Sequence, residues 1–80
     1  MAPRPPMILV TDPDHGLTLR EQQILYYIAG GLSNKEIAGR LTLSEQTVKA
    51  HLSHMTAKSG RANRAALVTY GFETGILRRC

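Results

Sequence analysis

Helix-start signals recur at short intervals along this chain, and they confine it to a set of short helices. Thr18 with Glu21, and Ser33 with Glu36, each form a capping box in which the two side chains satisfy backbone N–H groups left unpaired at a helix start. Ser44 and Asn63 are further N-cap residues. Behind each signal, apolar residues return at helical spacing: Ile24, Leu25, Ile28 and Ala29 in the first helix, and Ile37, Ala38 and Leu41 in the second. The third carries Val48, Leu52 and Met55, and the fourth Leu67, Val68, Tyr70 and Phe72. Gly30-Gly31 stops the first helix, and the fourth runs down at Gly75. Gly39 costs the second helix roughly 1 kcal/mol relative to alanine, so that helix of about two turns must lean on tertiary packing. Leu43, in the tight Thr42-Leu43 connection, is placed to plug the corner between the second and third helices.

Residues 1–16 read differently. They hold Pro3, Pro5, Pro6 and Pro13 together with Asp12, Asp14 and Gly16, a composition that resists helix and favours a flexible arm or linker, extended or disordered. Met7 to Val10 is compatible with a short strand, but a strand without a partner is marginal, so the alternative is an arm that packs or pairs with something else. The expected fold is therefore all-α: a compact four-helix domain over residues 17–80 with a central helix-turn-helix, preceded by that arm. Eighty residues make one domain with a modest core.

Charge and composition narrow the function. The net charge is +4, and its distribution says more than its size. From Gln46 to the end, Lys49, Lys58, Arg61, Arg64, Arg78 and Arg79 face Glu73 alone, whereas acidic and basic residues are close to balanced before Gln46. The basic half is the expected contact half for an acidic partner. Cys80 has no companion for a disulfide or a zinc site, which fits a reducing compartment. His51 and His54 lack the further Cys or His, at ligand spacing, that a metal site needs, so no metal or cofactor is expected. No apolar run approaches a membrane helix, and Met7 to Val10 is too short for a signal peptide, which makes the cytoplasm the expected location. No Ser/His/acid set, paired carboxylates or glycine-rich phosphate loop points to an enzyme.

Projected at 100° per residue with Val48 at zero, the third helix places Leu52 at about 40° and Met55 at about 340°, a narrow buried stripe. The opposite side carries Gln46, Lys49, Ala50, Ser53, His54 and Ala57, with Thr47, His51 and Lys58 along one flank. Such a face, small, polar and basic, suits a major groove, since small residues permit close approach and lysine and glutamine donate to base edges. The plainer reading is a solvated face on which Glu45 pairs with Lys49 one turn on. A short helix, a tight turn and a longer basic helix together favour DNA.

The residues carry a resemblance. Leu17-Thr-Leu-Arg-Glu21, Ser33-Asn-Lys-Glu-Ile-Ala38, Leu43-Ser-Glu-Gln-Thr-Val-Lys-Ala-His51, Lys58 and Asn63-Arg64 closely resemble the DNA-binding domain of the LuxR family, shared by NarL-type response regulators and the spore regulator GerE. The likeness covers about residues 17 to 77, in separate blocks of matching order and spacing. It implies sequence-specific binding of double-stranded DNA in bacterial transcription regulation, with the third helix in the major groove. By that resemblance Lys49, Ala50 and Ser53 face bases, and Asn34, Lys35, Thr47 and His51 hold phosphates, aided by the helix starts at Ser33 and Ser44. Lys58 joins the phosphate set or meets a nearby carboxylate, and the same choice stands for Arg64. Ser33, Glu21 and Glu36 are expected as structural caps.

The family's last helix carries a dimer contact, which here implicates Ala66, Thr69, Tyr70 and Glu73, on the side of the fourth helix away from Leu67, Val68 and Gly71. A weak homodimer stabilised on DNA is expected, with RNA polymerase as a further partner. Three residues depart from the family pattern. Leu19 replaces a common proline, Ser59 stands on the buried stripe, and Arg61 occupies a usually apolar site; the last two thin the core and imply modest stability. A sigma-factor-like domain and a protein-interaction helix-turn-helix are the alternatives, separated from an operator-binding domain by binding to polymerase core and by failure to bind duplex at low salt. Relatives carry an N-terminal receiver or ligand-binding domain, so the chain reads as either a stand-alone regulator or the end of a longer one.

Overall fold

A computed structural model describes residues 7–9 and 16–79. The elements run β1 (Met7–Leu9), α1 (Leu19–Ala29), α2 (Asn34–Leu41), α3 (Glu45–Ser59), α4 (Arg64–Glu73) and β2 (Leu77–Arg79). Each helix begins where its cap signal lies. Thr18 and Ser33 close full capping boxes with Glu21 and Glu36, while the Ser44 and Asn63 side chains accept from the backbone N–H groups of Thr47 and Ala66. The caps offset the nucleation cost that otherwise leaves helices of this length marginal in water.

The core forms where the apolar stripes converge. Ile24, Leu25 and Ile28 of α1 meet Ile37 and Ala38 of α2, Val48 and Met55 of α3 and Leu67 of α4, with Leu52 partly buried against them. Leu43 also packs against this cluster, and its backbone N–H reaches the Ala38 carbonyl at 2.9 Å. The turn between α2 and α3 is made by Thr42 in the left-handed region, φ 56° and ψ 44°, a conformation that a β-branched residue adopts only under local constraint.

The ends of the described chain add two short strands to the four helices. Met7–Leu9 is a strand, and its partner is β2: the two pair antiparallel, with Ile8 opposite Arg78, and β1 lies against α1. Met7–Leu9 is thus one half of a two-stranded ribbon. Ile76 and Leu77 are fully buried, so the segment after α4 belongs to the core rather than fraying beyond Gly75. Gly71 makes this possible, since a Cβ there would lie 2.8 Å from Leu77 Cδ1 and 3.0 Å from Leu25 Cδ2. The rest of the expected arm, residues 1–6 and 10–15, lies outside the described residues.

Ser59 is half-buried at the end of α3, and its hydroxyl donates to the Met55 carbonyl at 2.7 Å and accepts from the Arg61 N–H. The departure from an apolar residue therefore leaves no unsatisfied hydroxyl.

Candidate nucleic-acid interface

Helix α3 stands across α2 with Val48 and Met55 fully buried beneath it. The opposite side carries Gln46, Lys49, Ala50, Ser53, His54 and Ala57, all exposed. Lys49 makes no ion pair among the described residues, so the Glu45–Lys49 pair of the plainer reading is not formed and the ammonium is available to a ligand. The three residues expected to face bases, Lys49, Ala50 and Ser53, share this one open surface. Thr47 and His51 lie half-buried at its edge. The start of α3 is fixed by Ser44 Oγ, which accepts from the Thr47 N–H at 3.1 Å and lies 2.9 Å from the Thr47 hydroxyl.

The start of α2 is organised from α4. The Arg64 guanidinium donates to Asn34 Oδ1 at 2.6 Å and to the Leu32 carbonyl at 2.7 Å, tying the first turn of α4 to the loop before α2. Arg64 thereby lines an open notch with Leu32, Ser33, Asn34, Lys35 and Glu45. Lys35 is exposed there, while Asn34 has its carbonyl oxygen committed and its amide N–H₂ left to donate. The backbone N–H groups at a helix start, an amide and two cations are chemistry that suits a phosphate. The Glu36 carboxyl nearby sits below its ordinary pKa because the Ser33 backbone N–H and hydroxyl hold its charged form.

The Lys58 ammonium donates to Glu21 Oε1 at 2.7 Å. Burial alone would raise the Glu21 carboxyl, but the hydrogen bonds from Lys58 and the Thr18 N–H outweigh it and hold its pKa below the usual value. Glu21 is thus a cap and an anchor for the last turn of α3, a tie the sequence left open. Lys58 itself remains 39% exposed, within reach of solvent on the same flank as His51.

On α4, Thr69 and Glu73 are exposed, Ala66 is half-buried, and Tyr70 is half-buried against the core rather than pointing wholly outward. Arg61 covers this face. Its guanidinium pairs with Glu73 at 2.5 Å and lies 5.7 Å from the centre of the Tyr70 ring. A basic residue at a site expected to be apolar therefore serves as a bridge between the α3–α4 loop and α4, a role that neither spacing nor composition signals.

Among the described residues no group of three His, Cys, Asp or Glu side chains could hold a metal ion, and no helix is long and apolar enough to cross a membrane.

Residues 15–70 match the family described as bacterial regulatory proteins, luxR family. The chain is 43% identical over 67 residues to the oxygen regulatory protein NreC of Staphylococcus aureus strain JH9, covering 84% of this chain and 31% of that protein. It therefore spans about a third of the length of the curated relatives it matches. Among solved structures it resembles the response regulator ChrA of a heme-sensing two-component system, at 40% identity and a TM-score of 0.74 over 84% of this chain and 33% of that one. The phage VqmA–DPO complex aligns at 28% identity and a TM-score of 0.70, over 80% of this chain and 29% of that one.

Proposed function

The chain belongs to the luxR family of bacterial regulatory proteins, and from that membership we propose that it regulates transcription by laying α3 in the major groove of duplex DNA. The observation that carries this reading is the outward side of α3, where Lys49, Ala50 and Ser53 are exposed together while Val48 and Met55 fix the helix from below. Lys49, Ala50 and Ser53 face base edges. Asn34, Lys35, Thr47, His51 and Lys58 approach phosphates, and the capped starts of α2 and α3 direct their free N–H groups the same way. Positioning and reading are thus divided between two sets of residues on one surface.

The role is binding rather than catalysis, in the cytoplasm, with double-stranded DNA as the partner. Two copies pair through Ala66, Thr69, Tyr70 and Glu73 of α4 when both are seated on DNA. A patch of this size buries too little area to hold a stable dimer alone. RNA polymerase is the further partner that a transcription regulator of this kind would meet.

Methylation protection tests the groove assignment. Guanine N7 lies in the major groove, so the bound chain should protect guanine N7 within its site. Protection confined to adenine N3, in the minor groove, would overturn the placement of α3.

A further inference from the structure

We propose that Gln46 is a base-reading residue of α3 and that it selects an adenine within one or two base-pair steps of the guanine engaged by Lys49; this rests on the DNA-binding reading given above. With Val48 at zero on the helical projection, Gln46 falls at about 160°, between Ser53 at about 140° and Ala50 at about 200°, with Ala57 at about 180°. Gln46 thus stands in the middle of the surface that α3 turns away from the core. It is also exposed, and it lies two residues past the N-cap Ser44. In helix-turn-helix proteins the first residues of the recognition helix are the ones that reach base edges.

The local structure leaves this side chain free for that purpose. The start of α3 is capped by Ser44 acting on the Thr47 N–H, with the two hydroxyls 2.9 Å apart, so the Gln46 amide is not used in the cap. It has no hydrogen-bond partner among the described residues. Its neighbours on the surface sharpen the point. Ala50 and Ala57 offer no polar atom but let α3 approach closely, and the short Ser53 hydroxyl is tolerant of base identity. Lys49 supplies donors alone and suits guanine, which presents two acceptors. Gln46 supplies a donor and an acceptor side by side at the end of a longer arm. Adenine presents the matching pair, an N7 acceptor beside an N6 donor.

The spacing sets the register. Three residues along an α-helix advance about 4.5 Å, and successive bases on one strand are about 3.4 Å apart. Gln46 and Lys49 therefore address base pairs within one or two steps of each other, and each half-site should carry an adenine close beside a guanine.

The test is selection of bound sequences from a random duplex pool with the 80-residue chain, Gln46→Ala and Lys49→Ala, with far-UV circular dichroism confirming that each variant keeps its helices. The parent should enrich a half-site containing the adenine–guanine neighbours. Gln46→Ala should keep the guanine and lose the adenine preference by roughly 5- to 150-fold, the discrimination of one bidentate pair, and Lys49→Ala should do the reverse. An unchanged sequence preference in Gln46→Ala would overturn the proposal and leave the DNA-binding reading standing. No enrichment of any duplex by the parent would overturn both.

Discussion

The Lys58 ammonium sits 2.7 Å from the carboxylate of Glu21, a side chain only 2% exposed, so the last turn of α3 is anchored to the first turn of α1. The same carboxylate oxygen accepts from the Thr18 N–H at 2.8 Å, which makes one buried oxygen both a helix cap and an inter-helix tie. Removing the lysine leaves a buried charge with one partner fewer. Lys58→Ala is expected to lower unfolding stability by about 1.5 to 3 kcal/mol, the range for a hydrogen bond to a charged group, as measured by urea denaturation. A change within the scatter of surface substitutions would show that water replaces the ammonium without loss.

The sign of the pH dependence follows from the Glu21 carboxyl. Its pKa in the folded chain lies below the reference value of 4.5, so its contribution is complete above about that pH and is lost as the pH falls through the lower folded value. The melting temperature should therefore fall on acidification below about pH 4.5, the reference value itself. Glu21→Gln should show a shallower fall. Part of the slope should survive, because the Glu36 carboxyl is held down in the same sense by the Ser33 N–H and hydroxyl. Identical acid slopes in parent and Glu21→Gln would remove Glu21 from the account.

Gly71 is where the C-terminal strand meets α4. Gly71→Ala puts a methyl group 2.8 Å from Leu77 Cδ1 and 3.0 Å from Leu25 Cδ2, both on fully buried side chains. The expected cost is about 1 to 3 kcal/mol, as for an extra methylene in a packed core, together with faster amide exchange in Leu77–Arg79 than in α2. Exchange that speeds up equally everywhere would argue against a local displacement of the ribbon.

These long-range ties mark where the sequence ceases to be informative. Capping is local chemistry, and the capping bonds of Thr18, Glu21, Ser33, Glu36, Ser44 and Asn63 each span three residues. The four helices were accordingly legible, as was the exposed side of α3, which follows from periodicity alone. The Lys58–Glu21 tie spans 37 residues and the Arg64–Asn34 bond 30, and no local pattern distinguishes such partners from a phosphate. The ribbon was hidden for the same reason: Met7–Leu9 looked unpartnered because Leu77–Arg79 is three residues long and shows no alternation to announce a strand. Arg61 reads as a defect in an apolar pattern, and only its position over Tyr70 and beside Glu73 gives it a function.

Lys49 is exposed and without an ion pair among the described residues, so its loss should be felt in binding rather than folding. Lys49→Ala is expected to weaken duplex binding by about 1 to 3 kcal/mol, with a loss that depends on sequence, as for a guanine contact. Fluorescence anisotropy on matched and guanine-substituted duplexes checks this. Equal weakening on every sequence would reassign Lys49 to a phosphate.

Pairing through α4 is testable at Tyr70, which is half-buried and already faced by Arg61 within one copy. A two-fold protein requires half-sites about 10 base pairs apart. Tyr70→Glu should bind a single half-site as the parent does but lose cooperativity on a two-half-site duplex. Equal cooperativity in the two proteins would exclude this face.

The salt dependence of duplex affinity reports how many phosphates this surface meets. If Lys35, His51, Lys58 and the starts of α2 and α3 all meet phosphates, the log of the association constant should fall linearly with the log of salt concentration. The slope should be about 0.9 for each phosphate neutralised, which gives a steep line for a surface of this composition. A flat titration, or no duplex binding at low salt, would rule out DNA as the partner of α3 and point to a protein instead.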